Sequence, residues 1–84
     1  MTIAINKYII ANPAICHGKP TFKGTRVMVW QVLDMLAAGE TSAEIIRDFP
    51  SLTKRHISAA LRYASTITQK NYVIINTNQA TSLA

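Results

Sequence analysis

A single cysteine, Cys16, occurs in the 84 residues, so no internal disulfide can form, and a reducing cytoplasmic setting is expected. No apolar run approaches the roughly 18 residues that a membrane helix needs. The N-terminus has neither the charged start nor the apolar middle of a signal peptide, and a soluble protein is expected. No internal repeat is visible. Acids are scarce and unevenly placed: none lies between Met1 and Leu33 or after Lys54, and all four (Asp34, Glu40, Glu44, Asp48) fall between. They show no paired spacing suited to general acid–base work, and the chain reads as a non-enzyme with no cofactor. Zinc needs about four ligands, and beside Cys16-His17 the one further histidine is His56, so no metal is expected. Gly18-Lys19 and Gly24-Thr25 lack the order of a phosphate loop, in which lysine follows the second glycine directly.

Bases outnumber acids by nine to four, for a net charge of +5. Lys7, Lys19, Lys23 and Arg26 precede the acidic stretch, and Lys54, Arg55, Arg62 and Lys70 follow it, with Arg47 alone inside it. This segregation suggests two cationic surfaces suited to a polyanion or an acidic partner. A hydrophobic fraction of 49% describes one globular domain, not a disordered chain. A chain this short has a thin core, burying roughly 60–65% of its unfolded surface, so dimerisation would help.

The run from His17 to Val27 is acid-free, carries Lys19, Lys23 and Arg26, and is stiffened by Pro20. At eleven residues it exceeds an ordinary reversal and reads as a contact loop. A strand is predicted over Ile3–Ile10, ending at Asn12-Pro13, with Val27–Val29 a second short strand or the lead into a helix. Helical spacing then begins: Val29, Val32, Leu33 and Leu36 share a face, and Gly39 supplies the stop. Thr41 and Glu44 form a capping box for a second helix that buries Ile45, Ile46 and Phe49 and ends at Pro50. Thr53 caps a third helix, with Ile57, Ala60, Leu61, Ala64 and Ile67 along one stripe. Residues 1–28 are thus an arm and basic loop, 29–70 a three-helix core, and 71–84 a tail in which Tyr72-Val73-Ile74-Ile75 forms an apolar partner-docking run.

The second and third helices form a helix-turn-helix pattern, with Lys54, Arg55 and His56 in the first turn of the helix that would approach base edges. Two features depart from simple readout: Ile46 is bulky where a small residue is usual, and the turn Pro50-Ser51-Leu52 is a residue long. Arg26 suits phosphate or carboxylate in a forked geometry, or equally ties the arm to the core through carbonyls, Asp34 or Asp48. Trp30 and Tyr63 read as core or dimer contacts.

Asn12-Pro13, Cys16 to Pro20, Gly24 to Val27, Val32-Leu33, Leu36, Gly39, Ile45, Phe49-Pro50, Leu52-Thr53, Ile57 and Ala59 to Ala64 together resemble a family of small prokaryotic proteins, domain of unknown function 433 (DUF433). The resemblance implies a mainly α fold: a three-helix, homeodomain-like bundle with an N-terminal β arm. It also implies an antitoxin encoded beside a PIN-like ribonuclease toxin. On this reading a homodimer binds operator DNA through Lys19, Lys23, Arg26, Lys54, Arg55 and Arg62, and grips the toxin through Tyr72, Val73, Ile74 and Ile75. The rival expectations are a protein-interaction module that never touches DNA and an RNA-binding accessory protein.

Overall fold

The structure, a computed structural model, describes residues 1–70. Three short strands, β1 (Ile3–Ala4), β2 (Ile9–Ala11) and β3 (Thr21–Phe22), precede three helices, α1 (Val29–Ala37), α2 (Ser42–Asp48) and α3 (Lys54–Lys70). The strands form one antiparallel sheet in the order β1-β2-β3. Ala4 pairs with Ile10, and Ile9 with Phe22.

The single strand expected over Ile3–Ile10 is instead a hairpin. Asn6 breaks it, because its Oδ1 accepts the amides of Tyr8 at 2.8 Å and Ile9 at 3.0 Å. The Ile5 amide then donates to the Ile9 carbonyl at 2.9 Å and the chain reverses. Such a side chain mimics a backbone turn, which makes Asn an effective strand breaker.

The basic run is likewise not one loop. Asn12 Oδ1 accepts the Ala14 amide at 2.9 Å, and Cys16, His17 and Gly18 follow with φ of 51°, 58° and 81°. This left-handed turn delivers Pro20 to β3, which lies in the middle of the run. A second turn follows, in which the Thr25 hydroxyl donates to the Phe22 carbonyl at 2.8 Å and accepts the Val27 amide at 3.1 Å. Val27–Val29 forms no strand of its own: Met28 makes one bridge to Thr21, and α1 begins at Val29.

The helices follow the expected boundaries closely. Gly39 (φ 91°) sits just past α1, with its amide on the Leu36 carbonyl and the Glu40 amide on the Met35 carbonyl, both at 3.0 Å. These two bonds satisfy carbonyls that the helix end leaves unpaired. At α2, Thr41 Oγ1 accepts the Glu44 amide at 3.2 Å and Glu44 Oε1 accepts the Thr41 amide at 2.8 Å. The Thr41 amide and then its hydroxyl hold the Glu44 carboxyl below its ordinary value. The stability it contributes is therefore complete at neutral pH and fades as pH falls through that lowered value.

Ile9 and Phe22 from the sheet, Val29 and Val32 from α1, Ile45 from α2 and Ile57 and Ala60 from α3 make one core. The stripe predicted on α3 is corrected at two positions. Leu61 is 50% and Ile67 37% exposed, whereas Ala59 is buried. With seventeen residues, α3 outruns α1 at nine and α2 at seven, so its last turns lack a helical neighbour among the described residues. Leu61 lies a further 100° round the helix from Ala60, off the covered side.

His56 is the joint between sheet and helices. Its Nδ1 accepts the Thr53 amide at 3.0 Å and lies 2.9 Å from the Thr53 hydroxyl, closing the start of α3. Its ring meets Tyr8 edge-on at 4.9 Å and Phe22 at 5.7 Å between centroids. The first turn of α3 thus presents Lys54 and Arg55 outward, while the histidine beside them turns in.

A Cβ at Gly39 would meet nothing within 4 Å, so Gly39→Ala tests backbone conformation alone. It should cost about 1–2 kcal/mol in chemical denaturation, with Gly39→Asn recovering part of the loss. His56→Leu keeps most of the volume but removes the cap and the edge contacts. It should cost about 1–3 kcal/mol and lower Tm by about 4–8 °C per kcal/mol.

Candidate nucleic-acid interface

Seven residues of α-helix return to nearly the same side, so Arg55 and Arg62 lie on one flank of α3, with Ser58 between them. All three side chains are exposed. The hairpin turn lies alongside, because Tyr8 packs on His56 and Phe22 pins β3 beneath the same ring. Between turn and helix is a hollow of about 300 Å³ lined by Asn6, Lys7, Tyr8, Arg55, Ser58, Ala59 and Arg62. Its walls hold three cations and no acid. Lys7 Nζ lies 5.7 Å from the Tyr8 ring centroid, a cation–π approach that favours the ammonium on this side of the turn. The Lys23 amide donates to the Tyr8 carbonyl at 2.9 Å, which ties the next turn to the same wall.

The residues singled out in the sequence are divided by the fold. Arg55 and Arg62 are brought together, and Lys54 is exposed at the start of the same helix. Lys23 and Arg26 are exposed on the turn between β3 and α1. The Arg26 carbonyl accepts from Cys16 Sγ at 3.6 Å, so this turn is tied to the left-handed loop through backbone while the guanidinium stays at the surface. Lys19 is elsewhere: it lines a different hollow, of about 280 Å³, with Pro20, Val29, Trp30, Leu33 and Tyr63. Trp30 is 48% exposed there, so of the two readings for this residue a core position does not hold within one chain. A second hollow along α3, of about 310 Å³, combines Arg62 and Lys70 with Ile5, Tyr63 and Ile67, and the Lys19 hollow is the third. Tyr72, Val73, Ile74 and Ile75 lie outside the described residues.

Lys7 escaped the sequence reading. The signal for it was Asn6-Lys7, a polar pair inside a β-branched run, which marks a turn tip. Among the described residues, no group of three or more His, Cys, Asp or Glu is placed to hold a metal ion. No helix among them is long and apolar enough to cross a membrane.

The chain is similar in sequence to known proteins. The family model "Protein of unknown function (DUF433)" matches residues 9–64, from β2 to the middle of α3. A protein of Sinorhizobium fredii (strain NBRC 101917 / NGR234), described as "Uncharacterized protein y4eO", is 34% identical over 61 residues. That alignment takes in 73% of this chain but 28% of the relative, so the chain spans just over a quarter of that protein's length. No solved structure matches. The matched span contains the left-handed turn, the Thr25 turn, the Gly39 stop, the Thr41 cap and the His56 joint, and the chain belongs to the DUF433 family.

Proposed function

We propose that the chain is the antitoxin of a type II toxin–antitoxin pair: a cytoplasmic, non-enzymatic homodimer that binds operator DNA and a PIN-like ribonuclease. The observation that supports it most is the acid-free hollow where Lys7, Arg55 and Arg62 converge. Half or more of protein–DNA hydrogen bonds go to phosphate and sugar, and arginine, lysine, serine and asparagine supply them. On this reading α2 and α3 act as a homeodomain-like helix-turn-helix, with the outward residues Lys54, Arg55, Ser58 and Arg62 toward the duplex. The link of residues 49–53 contains a turn closed by the Leu52 amide, which donates to the Phe49 carbonyl at 2.9 Å, and buried Leu52 anchors it. Lys23 and Arg26 add charge from the neighbouring turn.

The toxin-binding half rests on a different surface chemistry. A PIN-like nuclease presents an acidic, metal-binding site, and the tail joins an apolar run to Lys70. The exposed Trp30, with Leu33 and Tyr63, supports the second reading: a protein-interaction module that contacts no DNA. The same face suits a second copy of the chain, since large apolar surface on so small a domain favours association.

Titration of a labelled duplex from the gene's own upstream region separates the two readings. Binding should weaken with salt at a log–log slope of about −0.9 per phosphate neutralised, and Arg55→Ala and Arg62→Ala should each lower the slope by about one such step. Binding that ignores both salt and these substitutions leaves the interaction-only reading in its place. For the toxin half, a chain ending at Lys70 should stay folded and dimeric by light scattering yet lose toxin affinity. Full neutralisation by that shorter chain would move the grip to the Trp30 face or the basic turn.

A further inference from the structure

The three hollows along α3 differ in the side chains that line them. The walls of the third carry Val29, Trp30 and Leu33, and those of the second carry Ile5, Tyr63 and Ile67. The first has no aliphatic side chain larger than Ala59 and one aromatic ring, Tyr8, which lies beneath Lys7. A protein segment binds through buried aromatic or aliphatic anchors, and the side chains here supply one ring and one alanine to pack against such an anchor. It has instead three cations, the Ser58 hydroxyl and the Asn6 carboxamide. Asn6 Oδ1 is already committed to the Tyr8 and Ile9 amides, which leaves its Nδ2 as a donor.

The cations also come from two directions. Arg55 and Arg62 are separated by about 10.5 Å of helix rise, and Lys7 enters from the hairpin across the hollow. Two forked guanidinium groups and one ammonium, with neutral donors between them, suit the oxygens of a phosphodiester, which a guanidinium can grip through two hydrogen bonds. We propose that this hollow is a clamp for a backbone phosphate of nucleic acid, with Lys7 of the β1–β2 turn closing it opposite Arg55 and Arg62. This rests on the operator-binding reading and adds that the β arm, not α3 alone, sets the protein's register on the strand. A phosphate contact carries no base information, so the clamp serves any sequence equally.

The test uses the full chain, with Lys7→Ala and Lys7→Arg, against the upstream duplex and a scrambled duplex of equal length. Lys7 is exposed, so the fold should survive, and an unchanged Tm confirms that. Lys7→Ala should lower the salt slope by about 0.9 and weaken binding about five- to tenfold near 0.1 M salt. The loss should be equal on both duplexes, and Lys7→Arg should restore it. A slope unchanged by Lys7→Ala but lowered by Arg55→Ala overturns the clamp and leaves the helix reading standing. A wild-type chain that binds neither duplex overturns both. In that case a short poly-glutamate peptide that shifts the Lys7 and Arg55 side-chain NMR signals assigns the hollow to an acidic protein partner.

Discussion

The contact on which the rest depends is the one His56 makes in two directions. Toward its own chain it closes the start of α3 by accepting the Thr53 amide, and toward the sheet its ring takes the edges of Tyr8 and Phe22. A sheet with strands of two or three residues is too small to hold itself in place, and two-stranded hairpins are marginal in water. Its position is set by what it packs on. Phe22 and Ile9, both fully buried, press the sheet onto the helices, and the histidine ring fixes Tyr8 beside the first turns of α3. Lys7 is the residue before Tyr8, so the joint that stabilises the arm also places a third cation opposite two arginines.

That arrangement has an electrostatic cost which the fold does not relieve internally. Lys54 and Arg55 occupy the end of α3 where the helix dipole is positive, and the first turn contains no acid. Each such cation costs roughly 0.3–1 kcal/mol at low salt. The four acids lie on α1, α2 and the link between them, and Glu44 is occupied in its own cap. A domain with a thin core would gain stability by moving an acid into the first turn of α3. Keeping cations there leaves the surface poised for an external anion, which would offset the dipole, the mutual repulsion and the desolvation together.

Legibility in the sequence followed the range of the interaction responsible. Gly39, Thr41-Glu44, Thr53 and the spacing of Val29, Val32, Leu33 and Leu36 act within one or two helical turns, and they placed all three helices. The shared flank of Arg55 and Arg62 has the same local origin, their spacing of seven residues, and it emerges with the structure. The hairpin was hidden because Asn6-Lys7 interrupts a β-branched run by only two residues, and the pairing of Ile9 with Phe22 joins positions thirteen apart. β3 was hidden in a stretch whose glycines, proline and charges read as loop. Leu61 and Ile67 have the period of buried residues, yet burial needs a neighbour, and the lengths of α1 and α2 decide where α3 has one. Lys7 stands opposite Arg55 and Arg62 only once the hairpin is held by Tyr8 against His56, so its place depends on that non-local packing.

The surface around α3 grades from charge to grease. Arg62 lines the first and second hollows, and Tyr63, the next residue, lines the second and third. Successive helical residues diverge by about 100°, so one step along the chain carries the surface from a cationic wall to an apolar one. A helix buried on all sides by a thicker core could not present both. Among the described residues, the short α1 and α2 cover α3 along one side and the hairpin lies against another. An anion on the Arg55 and Arg62 flank and an apolar segment against Tyr63 and Trp30 would therefore occupy neighbouring sides of a single helix without competing for the same atoms. The small core, which limits the stability of the domain, is what leaves both sides open among the described residues.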